Sequence, residues 1–224
     1  MFDSLKLSDL PKRQCPILRK PTNTRPTVWR IEEDGVRAVV KDFSSSKFLF
    51  RNIFGRLLVW REAKAYKKME DLKGVPTLFR VIGGLALVTE EVPGTDLGTV
   101  KDKARLQEGF FDALKDVVDR FHERGMAHCD LKRAGNILLG HDGLPYIIDW
   151  AAAISRSEFR LPLLNLIYRR FVLDDYNAIT KQKLRLTPEH VTPEERQAYF
   201  HRSWAEKIIR AFRDRIRAFL QKIA

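Results

Sequence analysis

The sequence has no apolar segment that could cross a membrane, because a spanning helix needs roughly 20 consecutive apolar residues and no such run occurs in it. Residues 1–6 also lack the basic region and the apolar stretch of a signal peptide. Two cysteines, Cys15 and Cys129, are too few for a disulfide framework or a structural zinc site. Together these absences predict a reducing, cytoplasmic setting.

Internal repeats and low-complexity segments are also missing. Acidic residues are the scarcer charge, with 29 Asp and Glu against 41 Lys and Arg and a net charge of +12. Such a surface attracts phosphorylated substrates, anionic lipid head groups or nucleic acid, and simple solubility explains it equally well. Nucleic acid is the weakest of these partners, since no stacking-aromatic or recognition-helix motif accompanies the charge.

Residues 128–150 carry the side chains best suited to catalysis. A polar loop containing Asp130 and Asn136 leads into an apolar strand, an Asp-Gly turn and a second apolar strand that ends at Asp149. This hairpin is expected to place Asp149 near the loop. Two carboxylates and an amide gathered in this way suit divalent-metal and hydroxyl chemistry.

The order His-x-Asp-Leu, Asn and Ile-Asp resembles the catalytic loop and metal-binding acid of the protein-kinase-like superfamily. The resemblance implies that Asp130 accepts a substrate hydroxyl proton, that Lys132 neutralises charge on the moving phosphoryl group, and that Asn136 and Asp149 hold Mg²⁺. Two positions differ from the usual pattern. Asn136 follows Asp130 by six residues instead of five, and Trp150-Ala151 replaces Phe-Gly after the metal acid. The loss of glycine argues against an activation segment that flips in and out.

The N-terminal half predicts a β-hairpin over residues 27–41, with its turn at Glu33-Asp34-Gly35. Lys41 ends the second strand, where the resemblance implies contact with the α- and β-phosphates of ATP. A helix is expected over residues 55–72. Its Glu62 is the acid best placed to pair with Lys41, and Glu70 is the alternative.

The glycine-rich phosphate loop of the superfamily is missing before Lys41. Phosphate contacts would then come from residues 22–25, with the Arg25 side chain as the main candidate. A strand pair follows over residues 78–91, and Glu90 to Val92 resembles the hinge whose backbone binds the adenine edge.

Helices are predicted over residues 106–124, 157–172 and 174–186, and a further helix begins with Thr192 as its cap and Pro193 as its first residue. The last helix, within residues 204–223, is basic and amphipathic. It is expected either to dock on the second lobe or to contact an anionic membrane surface, which would place the protein at the periphery of the inner membrane.

The predicted fold is therefore α+β and two-lobed, with a β-rich nucleotide-binding lobe over residues 1–92 and a short helical catalytic lobe over residues 93–224. The implied reaction is ATP- and Mg²⁺-dependent transfer of the γ-phosphoryl group to a hydroxyl. The region after Asp149 is too short for a full peptide-binding lobe and lacks Ala-Pro-Glu. This compact build resembles bacterial lipopolysaccharide-core (Kdo/heptose) kinases, and also the small atypical RIO-type protein kinases. The predicted acceptor is accordingly a lipopolysaccharide-core sugar or other anionic glycolipid. The alternatives are a protein serine or threonine hydroxyl, or no transfer at all in a pseudokinase or nucleotide-binding module.

Overall fold

The computed structural model describes residues 2–12, 15–22, 24–101, 106–159 and 161–200. The chain divides into two compact units. The first, called here the N-terminal unit, contains the described residues of Met1–Ala63 and Thr77–Glu91. The second, the C-terminal unit, contains those of Lys64–Pro76 and Val92–His201. The assignment of residues 1–92 to nucleotide binding and of residues 93–224 to catalysis stays a prediction.

The N-terminal unit is built on a five-stranded antiparallel sheet in the order β1-β2-β3-β5-β4. Its strands are β1 (Ile17–Arg19), β2 (Thr27–Glu33), β3 (Val36–Asp42), β4 (Leu78–Ile82) and β5 (Ala86–Glu90). The predicted hairpin turn is present, because Asp34 and Gly35 join β2 to β3 with φ values of 51° and 76°. Both residues of a tight two-residue hairpin turn need positive φ, which aspartate tolerates and glycine favours.

The two faces of the sheet bury different partners. One face, with Ala38, Val40, Ala86 and Val88, packs against the N-terminal segment through Phe2, Leu5 and Leu10, the last of which lies in helix α1 (Asp9–Lys12). The other face, represented by Leu87, packs against a cluster formed by Phe43, Phe50, Val59 and Ala63. The alternation along β5 follows from the period-2 geometry of a strand, in which neighbouring side chains point to opposite faces.

The helical segment that covers this second face begins earlier than residue 55. It runs through α2 (Phe48–Phe50), a π-helical turn (Arg51–Gly55) and α3 (Arg56–Lys68). A Cβ at Gly55 would lie 3.2 Å from the Cβ of Phe43, so the absence of a side chain allows the helix to approach the sheet closely at the π-turn. Single π-turns inside helices are often found at functional sites.

The C-terminal unit packs around helix α4 (Phe110–Glu123), whose buried face is Phe110, Phe111, Leu114, Val117, Val118 and Phe121. A three-stranded sheet in the order β6-β8-β9 joins β6 (Gly94–Asp96), β8 (Ile137–Gly140) and β9 (Pro145–Ile147). Two short strands, β7 (Met126–Ala127) and β10 (Ile154–Ser155), pair antiparallel. The sheet-rich first half and helical second half confirm the predicted α+β class.

The prediction of two helices over residues 157–172 and 174–186 was wrong, since a single helix α5 spans Pro162–Leu186. Asp174 and Asp175 lie inside this helix, where their carboxylates contact the loop that contains Asp130, as described below. Helix α6 (Pro193–Phe200) starts as predicted. Thr192 Oγ1 accepts from the Glu195 amide at 3.1 Å, and Glu195 Oε2 accepts from the Thr192 amide at 3.0 Å, which is a capping box.

The predicted basic amphipathic helix within residues 204–223 lies outside the described residues. Across the described ranges, no helix combines the length and the apolar character needed to pass through a bilayer.

Candidate active site

Lys41 forms a buried ion pair with Glu62 in the N-terminal unit. It lies opposite Leu87 in the pairing of β3 with β5, so its side chain points to the face of the sheet that α3 covers. The Nζ of Lys41 lies 2.5 Å from Oε1 of Glu62, and the two side chains are only 14% and 3% exposed. A charge-assisted hydrogen bond in so dry a setting holds the amine in one position.

The register of α3 explains the partner. Val59 and Ala63 face the buried cluster, and Glu62 is three residues after the first and directly before the second, so it points to the same side. Glu70, the alternative acid, is exposed and lies beyond the end of α3. The pairing is thus present in the structure, while the role of Lys41 and Glu62 in binding a nucleotide stays a prediction.

Thr22 and Arg25, in the segment that would replace the glycine-rich loop, hydrogen-bond to each other through their backbones. The Thr22 amide donates to the Arg25 carbonyl at 3.2 Å, and the Arg25 amide donates to the Thr22 carbonyl at 3.3 Å. These two amides are therefore engaged within the turn, and the side chain of Arg25 is exposed.

The predicted hinge residues fall at the boundary of the two units. Glu90 ends β5, and its Oε2 accepts from the Thr77 amide at 3.0 Å. The Glu90 amide also donates to the Thr77 carbonyl at 2.8 Å, so the carboxylate and the N–H of Glu90 are both engaged with Thr77. Val92 is the first residue of this part of the C-terminal unit and is half-buried. Nothing in the structure assigns either residue to a nucleotide, so both stay predictions.

Asp130 and Asn136 are joined in the C-terminal unit despite the extra residue between them. The Nδ2 of Asn136 donates to the Asp130 carbonyl at 3.0 Å and to its Oδ2 at 3.3 Å. A 3₁₀ turn over Ala134–Asn136 takes up the additional residue and places the amide next to the acid. With Nδ2 used in this contact, Oδ1 is the amide atom left for a cation. The guanidinium of Arg133 also approaches Asp130, with Nη1 3.4 Å from Oδ2.

The ring of His128 connects the loop to the strand that leads to Asp149. Its Nδ1 is 3.3 Å from the Asp130 amide, and its Nε2 is 3.0 Å from the Ile148 carbonyl. An amide can only donate and a carbonyl can only accept, so these contacts correspond to the neutral tautomer with the proton on Nε2. The His128 side chain is fully buried, and its contacts give it a structural role between the loop and this strand.

Asp149 follows β9 in the left-handed region, with φ of 66°. The preceding Ile148 amide donates to the Asn136 carbonyl at 3.0 Å, so the backbone next to Asp149 is fixed to the loop. Left-handed backbone is costly for a residue with a Cβ and is found preferentially at functional sites. Cys129, directly before Asp130, has the same strained conformation with φ of 67°.

Trp150 closes the segment after Asp149. The indole is fully buried, packs edge-on against Phe121 at 5.1 Å between ring centroids, and donates from Nε1 to the Ile147 carbonyl at 3.2 Å. A 3₁₀ turn over Trp150–Ala152 follows directly. Packing thus fixes the position that the usual pattern fills with mobile Phe-Gly.

A match to the RIO domain covers residues 36–162, more than half of the chain. The chain belongs to the RIO-domain family. The matched region contains Lys41, Glu62, Asp130, Asn136 and Asp149. RIO domains are members of the protein-kinase-like superfamily, and they generally use ATP and Mg²⁺.

Membership of this family supports the kinase-like fold that the sequence predicted, and an atypical kinase-like activity. The resemblance to lipopolysaccharide-core kinases gains no support from the comparisons. No curated protein matches the chain.

The donor set of this RIO domain fits Mg²⁺. The ion prefers oxygen ligands and commonly takes one or two carboxylates, with substrate phosphates completing its shell. Asp149 supplies a carboxylate and Asn136 an amide oxygen, from segments tied together through Ile148. No group of three or more His, Cys, Asp or Glu side chains that could hold a metal without such help occurs among the described residues.

Asp175 organises the catalytic loop of the RIO domain, and the sequence did not reveal it. Its carboxylate, 1% exposed, accepts from the His128 amide at 2.8 Å and from the Cys129 amide at 3.0 Å. The Nε2 of His122 lies 3.1 Å from the same acid. A carboxylate that accepts two consecutive amides fixes the backbone directly before Asp130. The available signal was an acid pair inside a long apolar run, which is a costly placement unless the charge is used.

Lys132 is held by the neighbouring acid of α5. Its Nζ lies 2.8 Å from Oδ1 of Asp174, which also receives Arg170 at 3.1 Å. Lys181 donates to the Lys132 carbonyl at 2.9 Å, so side chain and backbone are both tied to the helix. Asp174 was a second functional candidate that the sequence prediction missed.

Proposed function

We propose that this RIO domain transfers the γ-phosphoryl group of ATP to a hydroxyl. The observation that carries the proposal is the buried Lys41–Glu62 ion pair inside the matched region. A buried ion pair contributes little net stability, because the cost of desolvating both charges offsets their attraction. A cation kept at that cost on the inner face of a kinase-like sheet is best explained by a phosphate ligand.

Each residue has a role in the proposed reaction. Lys41 anchors the α- and β-phosphates, and Glu62 keeps its amine in place. Asp130 accepts the hydroxyl proton, while Asn136 and Asp149 hold Mg²⁺. When bound, the ion neutralises charge that develops on the phosphate oxygens.

Positioning is the main contribution of the chain itself. Asn136 Nδ2 and Arg133 fix the orientation of the Asp130 carboxylate. Asp175 accepts from the His128 and Cys129 amides and so fixes the backbone directly before Asp130. Asp130 thus needs little rearrangement to accept a proton, and preorganisation of this kind lowers the barrier. Lys132 lies two residues after Asp130. While neutralising charge on the moving phosphoryl group, its amine would either leave Asp174 or keep contact with it.

The proposed acceptor is a serine or threonine hydroxyl of a protein. Lysine at the position of Lys132 is usual in kinases that act on such hydroxyls, and RIO membership favours this acceptor over the sugar that the sequence placed first. A hydroxyl of an anionic glycolipid stays the second candidate because of the net charge of +12. The cytoplasmic setting and any contact with a membrane stay predictions too.

Transfer of radiolabelled γ-phosphate tests the reaction and the acceptor together. Purified chain is incubated with Mg²⁺ and labelled ATP, and label is measured on a basic-protein mixture, on lipopolysaccharide core and on the chain itself. Asp130→Asn should lower transfer by about 10²-fold or more, the usual contribution of a positioned general base. Asp116→Asn is the matched control, because Asp116 is an exposed acid on α4 outside the site.

Two outcomes would overturn the assignment. Full transfer by Asp130→Asn would remove the proton-acceptor role. Nucleotide binding without transfer to any acceptor would support the alternative of a binding module, in which case Asp149→Ala should still abolish the Mg²⁺ dependence of binding.

A further inference from the structure

The C-terminal unit contains a cavity of about 440 Å³ that none of the proposed catalytic residues lines. Its walls come from the end of α3, the turn after α4, the segment after β10 and the first part of α5. The cationic members of its lining are Lys68, Arg124 and Arg156, and the acidic one is the exposed Glu123. A volume in this range is typical of small-ligand sites.

A second cavity of about 230 Å³ shares Arg156 and Asn165 with the first. It adds Arg169 and His122 to the lining and no carboxylate. The Nδ1 atom of His122 is buried and has no hydrogen-bond partner among the described residues. The two cavities form one concave region with cations on several sides, here called the basic cavity. Cations outnumber the single acid, Glu123, in this lining, so the region should attract an anion.

Polar side chains at the basic cavity are held in place by hydrogen bonds to one another. Lys68 Nζ donates to the hydroxyl of the buried Ser155 at 3.0 Å, and the Ser155 and Ser157 hydroxyls lie 2.8 Å apart. The Arg156 amide donates to the Gly125 carbonyl at 2.8 Å, which ties the two walls together. These contacts place an amine and a hydroxyl of the lining without any ligand present.

Glycine at position 125 keeps the basic cavity open. The residue has φ of +67°, and a Cβ there would lie 3.4 Å from the Cβ of Arg156 and 3.5 Å from Nζ of Lys68. A side chain would therefore be strained in its backbone and would also occupy the space between the two cations.

The charges of the basic cavity are incompletely compensated. The guanidinium of Arg156 makes no hydrogen bond or ion pair within the part of the chain that the structure describes. Arg124 uses Nη1 to donate to the carbonyls of Lys68 and Glu70 at 3.2 and 2.5 Å, which leaves its other N–H groups for a ligand. Burial, and then the nearby cation Lys64, lower the pKa of Lys68 from its ordinary value, and a bound anion would oppose both effects.

We propose that the basic cavity binds a phosphomonoester group, through Lys68, Arg156 and the remaining donors of Arg124. A phosphate dianion has the charge and the three acceptor oxygens that an amine and guanidinium forks match. A cavity of about 440 Å³ matches a single phosphate group, whereas a nucleic-acid backbone needs a continuous basic track. The phosphate could belong to a phosphorylated side chain of a protein or to a small phosphorylated metabolite. This inference does not depend on the proposed catalytic function.

Binding to the full chain is measured with four probes: inorganic phosphate by calorimetry, and a short fluorescent peptide in its phosphoserine, unphosphorylated and glutamate-substituted forms by anisotropy. Arg156→Ala should weaken phosphate-dependent binding about tenfold, as expected for one lost charge-assisted contact. Lys68→Gln keeps a donor toward Ser155 but removes the charge, and should weaken binding to a similar extent. Arg196→Ala is the matched control, because Arg196 is an exposed arginine of α6 outside both cavities.

The outcomes separate the sources of the phosphate and test the site. Tighter binding of the phosphopeptide than of inorganic phosphate supports a protein ligand, and the reverse order supports a small metabolite. No saturable binding of either, equal binding of the glutamate peptide, or an equal loss in Arg196→Ala would overturn the proposal. Displacement of the phosphopeptide by Mg²⁺ and ATP, or its loss in Asp149→Ala, would place the phosphate at the proposed nucleotide site and would also overturn it.

Discussion

Replacing Asp175 by asparagine should destabilise the loop that carries Asp130. The two side chains have nearly the same shape, so the change removes the charge and turns one oxygen into an NH₂ group. In either orientation of the asparagine side chain, its NH₂ group faces one backbone N–H, that of His128 or that of Cys129. That N–H then has no acceptor. One charged hydrogen bond is lost and one buried donor is left unsatisfied, a combined cost of about 3 kcal/mol.

Asp174 supplies the matched control for this prediction. It is the preceding residue of the same helix and also a carboxylate, but it pairs with Lys132 and Arg170 in a half-buried setting. Asp174→Asn leaves the acceptor of the His128 and Cys129 amides intact and should therefore cost less than Asp175→Asn.

Urea denaturation followed by circular dichroism gives the two unfolding free energies. Because the chain has two units, hydrogen exchange at the His128 and Cys129 amides provides the local measurement. Both amides should exchange faster in Asp175→Asn and at the native rate in Asp174→Asn. If the two variants lose equal stability and neither amide changes its exchange rate, then Asp175 does not hold the loop as we infer.

Three further predictions address other contacts. Glu62→Gln should lower the free energy of unfolding by about 3 kcal/mol, because the buried Lys41 amine loses the charge of the carboxylate that lies 2.5 Å from it. Adding Lys41→Met should restore most of that loss, as measured by urea denaturation. Thr192→Ala should cost about 1 kcal/mol through loss of the capping box with Glu195, measured by thermal unfolding. Burial, and then the hydrogen bond to an acid, raise the pKa of Tyr176 above its ordinary value of 10.0, so stability should fall as pH rises above 10 and less so in Tyr176→Phe.

Each of these has a result that would contradict it. A double variant at positions 41 and 62 that is as unstable as the single one would show that packing, not charge, causes the loss. Unchanged stability of Thr192→Ala would mean that the first turn of α6 needs no cap. The sign for Tyr176 follows because the folded state keeps a proton that the unfolded state loses above pH 10. An identical alkaline transition in the phenylalanine variant would contradict it.

The sequence predicted those features that depend on residues close together in the chain. The resemblance to kinases indicated Glu62 as the partner of Lys41. The hairpin at Asp34-Gly35 and the cap at Thr192 follow from turn and capping chemistry. These features are set by residues close in sequence or by the face of one element. The family match is to a RIO domain and gives no support to the resemblance to lipopolysaccharide-core kinases that the compact build had suggested.

The acids of α5 could not be predicted in the same way. Asp175 acts on amides about 46 residues before it in the chain, so only the folded arrangement shows why a carboxylate is buried there. The sequence predicted a separate helix beginning at Asp174, whereas α5 continues through both acids. The engagement of the Thr22 and Arg25 amides with each other likewise depends on a turn geometry that the residue types alone do not determine.

The packing of Trp150 has a consequence for chemical probes. An inhibitor of a kinase-like protein could bind a conformation in which the residue after the proposed metal-binding acid leaves its pocket and opens an apolar cavity. Here such a movement would expose a whole indole and break its bond to the Ile147 carbonyl, at a cost of about 3 kcal/mol or more. That is a penalty of more than a hundredfold in affinity. Selective compounds for this RIO domain should therefore be designed for the conformation seen here, with potency sought in polar contacts and not in induced lipophilic space.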